Sequence, residues 1–122
     1  MTTTTPKPAT EPSRRVLNPD EIHVSPLWEL VTNTDCVRIR RSFVARNFQA
    51  ALDALQAMGE IAEAMNHHPD LHLTEYRTVT IEVYTHTVRG VTQKDVALAQ
   101  KLDEVPIDYS PHWKKEHGLV DS

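Results

Sequence analysis

The chain has 122 residues, with 17 acidic and 13 basic side chains and a formal net charge of −4. A chain of this length forms one domain, which buries roughly 60–70% of the surface that the unfolded chain exposes. Such a core leaves little room for a deep cavity, so a binding site at a surface or subunit groove is expected. The acidic balance argues against direct binding of nucleic acid.

The chain carries a single cysteine, Cys36. No disulfide within the chain and no CxxC site can therefore form. No apolar run approaches the roughly 20 residues that span a bilayer, and there is no signal-peptide core. These features predict a cytoplasmic protein that does not contact membranes.

The first segment, residues 1–17, is dominated by Thr and Pro and predicts a disordered tail. An organelle transit peptide is a second interpretation of this segment, although it lacks an amphipathic Arg-rich helix. Asn18-Pro19 then predicts the start of a short helix, with Asn18 as its cap.

Two strands forming a hairpin are predicted next, at Trp28–Val31 and around Val37–Ser42. The second strand alternates apolar and polar residues, which is typical of a half-buried strand. It also carries most of the basic patch, which we expect to be a solvated strand face: Arg38, Arg40, Arg41 and Arg46.

Apolar residues at helical spacing predict a long helix over 47–65 that Asn47 caps. Its predicted apolar face comprises Phe48, Leu52, Leu55, Met58, Ala62 and Met65. Pro69 disfavours helical geometry at the preceding residue, so the helix is expected to end near Asn66.

The second half of the chain predicts a short strand over His72–Tyr76 and a clear strand over Val79–Val83. Gly90 marks a turn. Thr92 caps a last helix, with one apolar face formed by Val96, Ala99 and Leu102. Residues 104–122 predict an extended C-terminal segment that packs through Tyr109 and Trp113.

The element order is therefore β-β-α-β-β-α, with a possible short helix before it. This order predicts an α+β domain over residues 18–103, with a four-stranded antiparallel sheet and helices on one face. The other face or an edge of the sheet has to be covered, which predicts a homodimer or homotetramer.

Three histidines lie at the ends of predicted elements, His67 and His68 where the long helix ends and His86 after a strand. Histidine exchanges a proton near neutral pH without a large pKa shift. Glu63 lies one helical turn before His67 and can orient a histidine. Each histidine alone could be a surface or capping residue, but together they predict a site of proton transfer.

Other chemistries find less support in the sequence. His68 and His72 have the spacing of a helical metal site, but Pro69 separates them, and there is no HExxH motif. Cys36 is far from the histidines and no GxSxG motif occurs, so nucleophilic catalysis is not predicted. We expect no metal and no cofactor.

Two further residues have two interpretations each. Trp28 could stack on a flat heterocycle or be a core tryptophan at the start of a strand. Asp95, three residues after Thr92, could belong to the site or simply be an acid at a helix N-terminus.

These residues together resemble the motif of the pterin-4a-carbinolamine dehydratase family. The motif is an acid, three residues, His-His-Pro, an aromatic residue, a later histidine and then an aspartate. The chain carries it as Glu63, His67-His68-Pro69, Tyr76, Thr85-His86 and Asp95, within a resemblance that spans Trp28–Asp103. Many members have an aromatic residue just after His-His-Pro, where this chain has Leu71-His72.

The resemblance implies a four-stranded antiparallel sheet with helices on one side, often assembled as a tetramer built from dimers. It implies loss of water from 4a-hydroxytetrahydropterin to give quinonoid dihydropterin, a reaction that recycles the cofactor after aromatic amino-acid hydroxylation. The implied catalytic residues are His67, His68 and His86. The implied substrate-binding residues are Glu63, Trp28, Thr85 and Asp95.

The implied reaction suits imidazole chemistry, because the departing hydroxyl must gain a proton and N5 must lose one. Either His67 or His86 would be the acid, and the sequence leaves this assignment open. One rival interpretation is a dimerisation cofactor for a homeodomain transcription factor, acting through an apolar helix face with Leu52 and Leu55. A second is a relative without pterin activity that serves as an assembly factor.

Overall fold

A computed structural model of the protein describes residues 15–32 and 36–119. It contains one antiparallel sheet with the strand order β1-β2-β4-β3. The strands are β1 (Glu29–Val31), β2 (Arg38–Val44), β3 (Asp70–Thr74) and β4 (Thr78–Val83). The helices are a short 3-10 helix (Pro19–Glu21), α1 (Phe48–Met65), α2 (Gln93–Leu102) and α3 (Pro111–Glu116). The predicted α+β class, with a four-stranded antiparallel sheet, is confirmed.

One face of the sheet forms the core, because buried and less buried residues alternate along its two central strands. Ile39 and Phe43 on β2, and Val79, Ile81 and Val83 on β4, are at most 1% exposed. This two-residue period is the one that the sequence shows. The connection between the two strands of the predicted hairpin lies mostly outside the described residues.

The opposite face of the sheet is polar, and its charges are paired across strands. Arg40 Nε lies 3.1 Å from Glu29 Oε2, and Arg38 Nη1 lies 3.2 Å from Glu82 Oε1. The hydroxyls of Ser42 and Thr80 lie 3.1 Å apart. This face therefore carries its own polar contacts and is not an apolar surface.

Arg41 contradicts the prediction of a wholly solvated basic patch. It occupies a core-facing position of β2, and its side chain is 3% exposed. Its Nη2 donates to the Tyr109 hydroxyl at 2.7 Å, and its Nη1 lies 3.6 Å from Asp103 Oδ1. The alternation that buries Ile39 and Phe43 buries Arg41 as well.

Helix α1 begins at the predicted cap, where the Ala50 N–H donates to the Asn47 side chain at 2.8 Å. Its fully buried face consists of Ala51, Ala54, Met58 and Ala62. The prediction was wrong for Phe48 and Leu52, which are 50% and 37% exposed. Small alanines occupy the core side of the helix, so the largest apolar residues of its first two turns lie towards solvent.

Both ends of the chain extend the core further than predicted. Leu17 is 4% exposed and its N–H donates to the Val91 carbonyl at 2.7 Å, so the ordered part begins before residue 18. The rest of the predicted tail, residues 1–14, lies outside the described residues. The C-terminal segment contains α3 instead of being extended throughout, and Tyr109 stacks on Trp113 with 5.2 Å between ring centroids.

The remaining boundaries differ little from the prediction. Strand β3 begins at Asp70 instead of His72, and Tyr76 lies in the connection to β4, where it is 60% exposed. Within residues 15–32 and 36–119, no helix is long and apolar enough to cross a membrane.

The buried face of α1 can be tested at Met58, which is fully inaccessible. We expect Met58→Ala to lower the free energy of unfolding by about 2–5 kcal/mol, because it removes apolar contacts and leaves a cavity. Urea denaturation measures this change. Gln56→Ala, at an exposed position of the same helix, should change it by no more than about 0.5 kcal/mol. Equal effects at the two positions would contradict the described orientation of α1.

Candidate active site

A surface cleft with a volume of about 340 Å³ lies between the end of α1 and the loop after β4. We call it the histidine cleft. Its lining consists of Asn66, His67, His68, Thr85, His86, Thr87 and Lys94. The three histidines that the sequence singles out therefore line one cleft, although they come from two separate segments.

The first segment leaves α1 through a sharp turn at Asn66. This residue has a φ of 52°, in the left-handed region, which asparagine adopts more readily than most residues. The N–H of Asn66 donates to the Glu63 carbonyl and that of His67 to the Ala62 carbonyl, both at 3.1 Å. This pair of bonds is a Schellman motif, which ends the helix and turns the chain towards the cleft.

The second segment follows β4 and is closed by a bridge between Thr85 and Gly90. The Thr85 N–H donates to the Gly90 carbonyl at 2.8 Å, and the loop between them carries His86. A Cβ atom at Gly90 would lie 2.9 Å from Val16 Cγ1. A glycine at this position therefore lets the loop pack closely against the N-terminal segment.

Asp95 holds the ring of His67 through a hydrogen bond. It is fully buried, and its Oδ1 lies 2.5 Å from His67 Nε2. Its Oδ2 accepts from the Thr85 hydroxyl and from the Thr92 N–H, both at 2.8 Å. Asp95 also lies in the first turn of α2, where the helix dipole favours a negative charge. A carboxylate here makes Nε2 of His67 the donor, which leaves Nδ1 as the second nitrogen of the ring.

His68 has a looser partner. Its Nε2 lies 2.6 Å from Glu63 Oε1, and the two side chains are 58% and 79% exposed. An ion pair at this exposure contributes little to stability. Glu63 can orient His68 without holding it in one position.

His86 contacts an aromatic ring. The centroids of the Tyr84 and His86 rings are 4.3 Å apart and their planes are inclined by 45°. The Tyr84 hydroxyl donates to Asp70 Oδ2 at 3.2 Å. Burial, and then the charge and hydrogen bond of Asp70, raise the pKa of Tyr84. The phenol therefore stays a protonated donor at neutral pH, and this bond is lost only as pH rises through the raised pKa.

Besides Asn66, which it assigned only to the end of the helix, the sequence analysis missed three residues at or beside the cleft. Lys94 and Thr87 line it, and Tyr84 contacts His86. A signal for each existed in the sequence. Thr87 directly follows Thr85-His86, Lys94 lies between the cap Thr92 and Asp95, and Tyr84 continues the alternation of β4.

The structure brings together most of the predicted site residues. His67, His68, His86 and Thr85 line the cleft, while Glu63 and Asp95 contact lining histidines. Asp95 contacts His67 and also belongs to the capping box of α2.

The structure does not bring Trp28 to the histidine cleft. Trp28 is 6% exposed and belongs to the core. Its Nε1 donates to Asp103 Oδ1 at 2.8 Å. The geometry is that of a core tryptophan with a satisfied indole N–H, the second of the two interpretations of this residue.

The described part of the chain contains no group of three or more His, Cys, Asp or Glu side chains placed to hold a metal ion. The cleft instead offers imidazoles, a threonine hydroxyl and an amine. Such groups can donate and accept protons and can bind a polar heterocycle.

Asp95→Asn tests how His67 is held. Asparagine at this position would turn an N–H₂ group, which can only donate, towards Nε2 of His67. We therefore expect the His67 ring to change its tautomer from Nε2–H to Nδ1–H, so that Nε2 can accept. We expect a loss of about 1.5–3 kcal/mol in the free energy of unfolding, because hydrogen bonds to a charged acceptor are replaced by neutral ones. The ¹⁵N shifts of the ring nitrogens and urea denaturation measure the two effects.

Glu63→Gln is the matched control, because Glu63 contacts His68 at an exposed position. It should leave the tautomer of His67 unchanged and alter the stability by no more than about 0.5 kcal/mol. An unchanged His67 tautomer in Asp95→Asn would show that Asp95 does not set it.

The chain is similar in sequence to pterin-4a-carbinolamine dehydratases. A sequence profile described as pterin 4 alpha carbinolamine dehydratase matches residues 14–105. A relative named pterin-4-alpha-carbinolamine dehydratase 2, mitochondrial, from Arabidopsis thaliana is 38% identical over 81 residues, 66% of this chain and 43% of that protein. A putative pterin-4-alpha-carbinolamine dehydratase from Rubrobacter xylanophilus is 44% identical over 80 residues, 66% of this chain and 71% of that protein.

Two solved structures have a similar fold. A transcriptional coactivator/pterin dehydratase from Brucella melitensis gives a TM-score of 0.57 at 29% identity, covering 64% of this chain and 80% of that chain. A pterin dehydratase-like protein described as a RuBisCO assembly factor in the alpha-carboxysome gives 0.51 at 17% identity, covering 66% and 87%. The second likeness concerns the fold alone. From its sequence match and its fold, the chain belongs to the pterin 4 alpha carbinolamine dehydratase family.

Proposed function

We propose that this protein catalyses the loss of water from 4a-hydroxytetrahydropterin to give quinonoid dihydropterin, and so acts in tetrahydropterin recycling. The observation that carries the proposal is the convergence of His67, His68 and His86 on one cleft. Family membership and the names of the relatives support the substrate class. The cleft volume of about 340 Å³ lies at the small end of the range for ligand pockets, which suits a bicyclic ring.

The reaction breaks the C4a–O bond and the N5–H bond of the substrate. The oxygen leaves as water after it gains a proton, and the electron pair of the N5–H bond forms the C4a=N5 double bond. Each proton transfer needs a weak acid or base poised near neutral pH, which contributes roughly 10²–10⁴-fold to the rate. No step requires a metal or a covalent intermediate.

The surroundings of the histidines suggest their roles. Asp95 holds the His67 ring through Nε2, which leaves Nδ1 to face the substrate, and we assign His67 as the acid that protonates the leaving hydroxyl. We assign His86 as the base that accepts the N5 proton. His68, exposed and paired with Glu63, orients the ring or relays a proton.

A second candidate function is a non-catalytic dimerisation or assembly role of the same fold. The observation that favours it is the exposure of Phe48 and Leu52 on α1. The Brucella relative is called both a coactivator and a dehydratase, so the two roles are not exclusive in that protein. We propose that in this protein the face of α1 with Phe48 and Leu52 forms the interface of a homodimer or homotetramer.

The enzymatic proposal is tested with His67→Ala and His86→Ala. Each variant should lower the rate of dehydration by about 10²–10⁴-fold, because one proton transfer loses its catalyst. The ultraviolet absorbance of 4a-hydroxytetrahydropterin follows the reaction. His112→Ala is the control, because His112 lies on α3 with its side chain 82% exposed. It should retain the wild-type rate.

Circular dichroism has to show that the variants remain folded. A wild-type protein no faster than the uncatalysed reaction would reject the enzymatic proposal and leave the assembly role. A wild-type rate in either histidine variant would remove that residue from the mechanism.

The assembly proposal is tested with Leu52→Glu. Size-exclusion chromatography with light scattering should give the wild type a mass at least twice the 13.9 kDa of the chain. The variant should shift towards the monomer, because a buried unpaired charge at an interface is unfavourable. Ala64→Glu adds the same charge about three turns further along α1, at an exposed position on another side of the helix, and should leave the mass unchanged. A monomeric wild type would contradict the proposal.

A further inference from the structure

Tyr84 does not line the histidine cleft, yet it contacts the segments that carry the histidines on both sides. Its ring lies 4.3 Å from that of His86, measured between centroids. Its hydroxyl donates to Asp70 Oδ2 at 3.2 Å, and Asp70 follows His68-Pro69 directly. One side chain therefore connects the loop after β4 to the segment after α1.

His86 differs from the other two histidines in how it is held. His67 lies against Asp95 and His68 against Glu63, each with a ring nitrogen within hydrogen-bond distance of a carboxylate. Among the contacts of residues 15–32 and 36–119, the His86 ring has the Tyr84 ring as its partner and makes no hydrogen bond. An exposed imidazole without an oriented neighbour would sample several rotamers.

Tyr84 is itself fixed by the polar face of the sheet. The guanidinium carbon of Arg38 lies 4.4 Å from the centroid of the Tyr84 ring. Arg38 is held in turn by Glu82, with 3.2 Å between Nη1 and Oε1. Stacking on a cation and a hydrogen bond at the hydroxyl leave the phenol ring little freedom.

We propose that Tyr84 is a positioning residue for His86. Its ring sets the orientation of the imidazole at the cleft, and the hydrogen bond from its hydroxyl to Asp70 helps to hold that ring in place. The kinetic part of this inference rests on the proposed function, whereas the structural part does not. Tyr84 takes no part in proton transfer and does not contact the substrate.

The variants separate the ring of Tyr84 from its hydroxyl. Tyr84→Leu removes both, and Tyr84→Met does so with a longer, flexible side chain in case the first variant fails to fold. Tyr84→Phe keeps the ring and loses the hydrogen bond to Asp70. Tyr76→Leu is the matched control, because Tyr76 is an exposed tyrosine in the connection between β3 and β4.

Nuclear magnetic resonance of the carbon-bound ring protons of His86 is the structural measurement. The Tyr84 ring should displace these resonances by its ring current in the wild type. The displacement should be lost in Tyr84→Leu and Tyr84→Met, and kept in Tyr84→Phe and Tyr76→Leu. A wild type without this displacement would overturn the inference whatever the enzymatic activity.

The kinetic measurement uses the same variants. Tyr84→Leu should lower kcat by about 10–100-fold, because a misplaced catalytic group loses much of its effect. Tyr84→Phe should keep a kcat within about 3-fold of the wild type, since the aromatic ring supplies the main contact with His86. A wild-type kcat in Tyr84→Leu, with the ring-current displacement lost, would overturn the inference. If the wild type shows no dehydration at all, the proposed function fails, and the resonances of His86 still decide whether Tyr84 orients it.

Discussion

The buried carboxylate of Asp95 is the contact on which the arrangement of the site depends. It accepts hydrogen bonds from the helix start at Thr92, from the Thr85 hydroxyl after β4 and from His67 after α1. A buried charge is tolerated only when its partners are in place. The need to satisfy this one carboxylate therefore joins three separate elements, and the same contact orients an imidazole that faces the cleft.

The regular elements could be predicted because their burial follows a simple period. Strand β4 (Thr78–Val83) alternates in sequence and in burial, and it lies where the alternation places it. The face of α1 was harder to predict, because alanines gave the helix its core side and left Phe48 and Leu52 exposed. Arg41 was harder still, since Tyr109, which accepts a hydrogen bond from its buried guanidinium, is distant in sequence and pairs with it only in the folded chain.

The histidines of the site could be predicted from their residue type and spacing, but their surroundings could not. The spacing indicated that His67 and His86 belong together, and the cleft contains both. Which group holds each ring depends on contacts across the fold, as between His67 and Asp95, or Tyr84 and His86. For Trp28 the residue type and position did not predict even the location, because a tryptophan at the start of a strand suits a core and a binding pocket equally well.

The contact between Gly90 and Val16 has a consequence for the beginning of the chain. Val16 packs against the loop that carries His86, and the Leu17 N–H is bonded to the Val91 carbonyl beside it. Val16 and Leu17 thus support the loop with His86, which forms one wall of the cleft. Trimming the chain past Val16 would therefore remove the outer support of that wall.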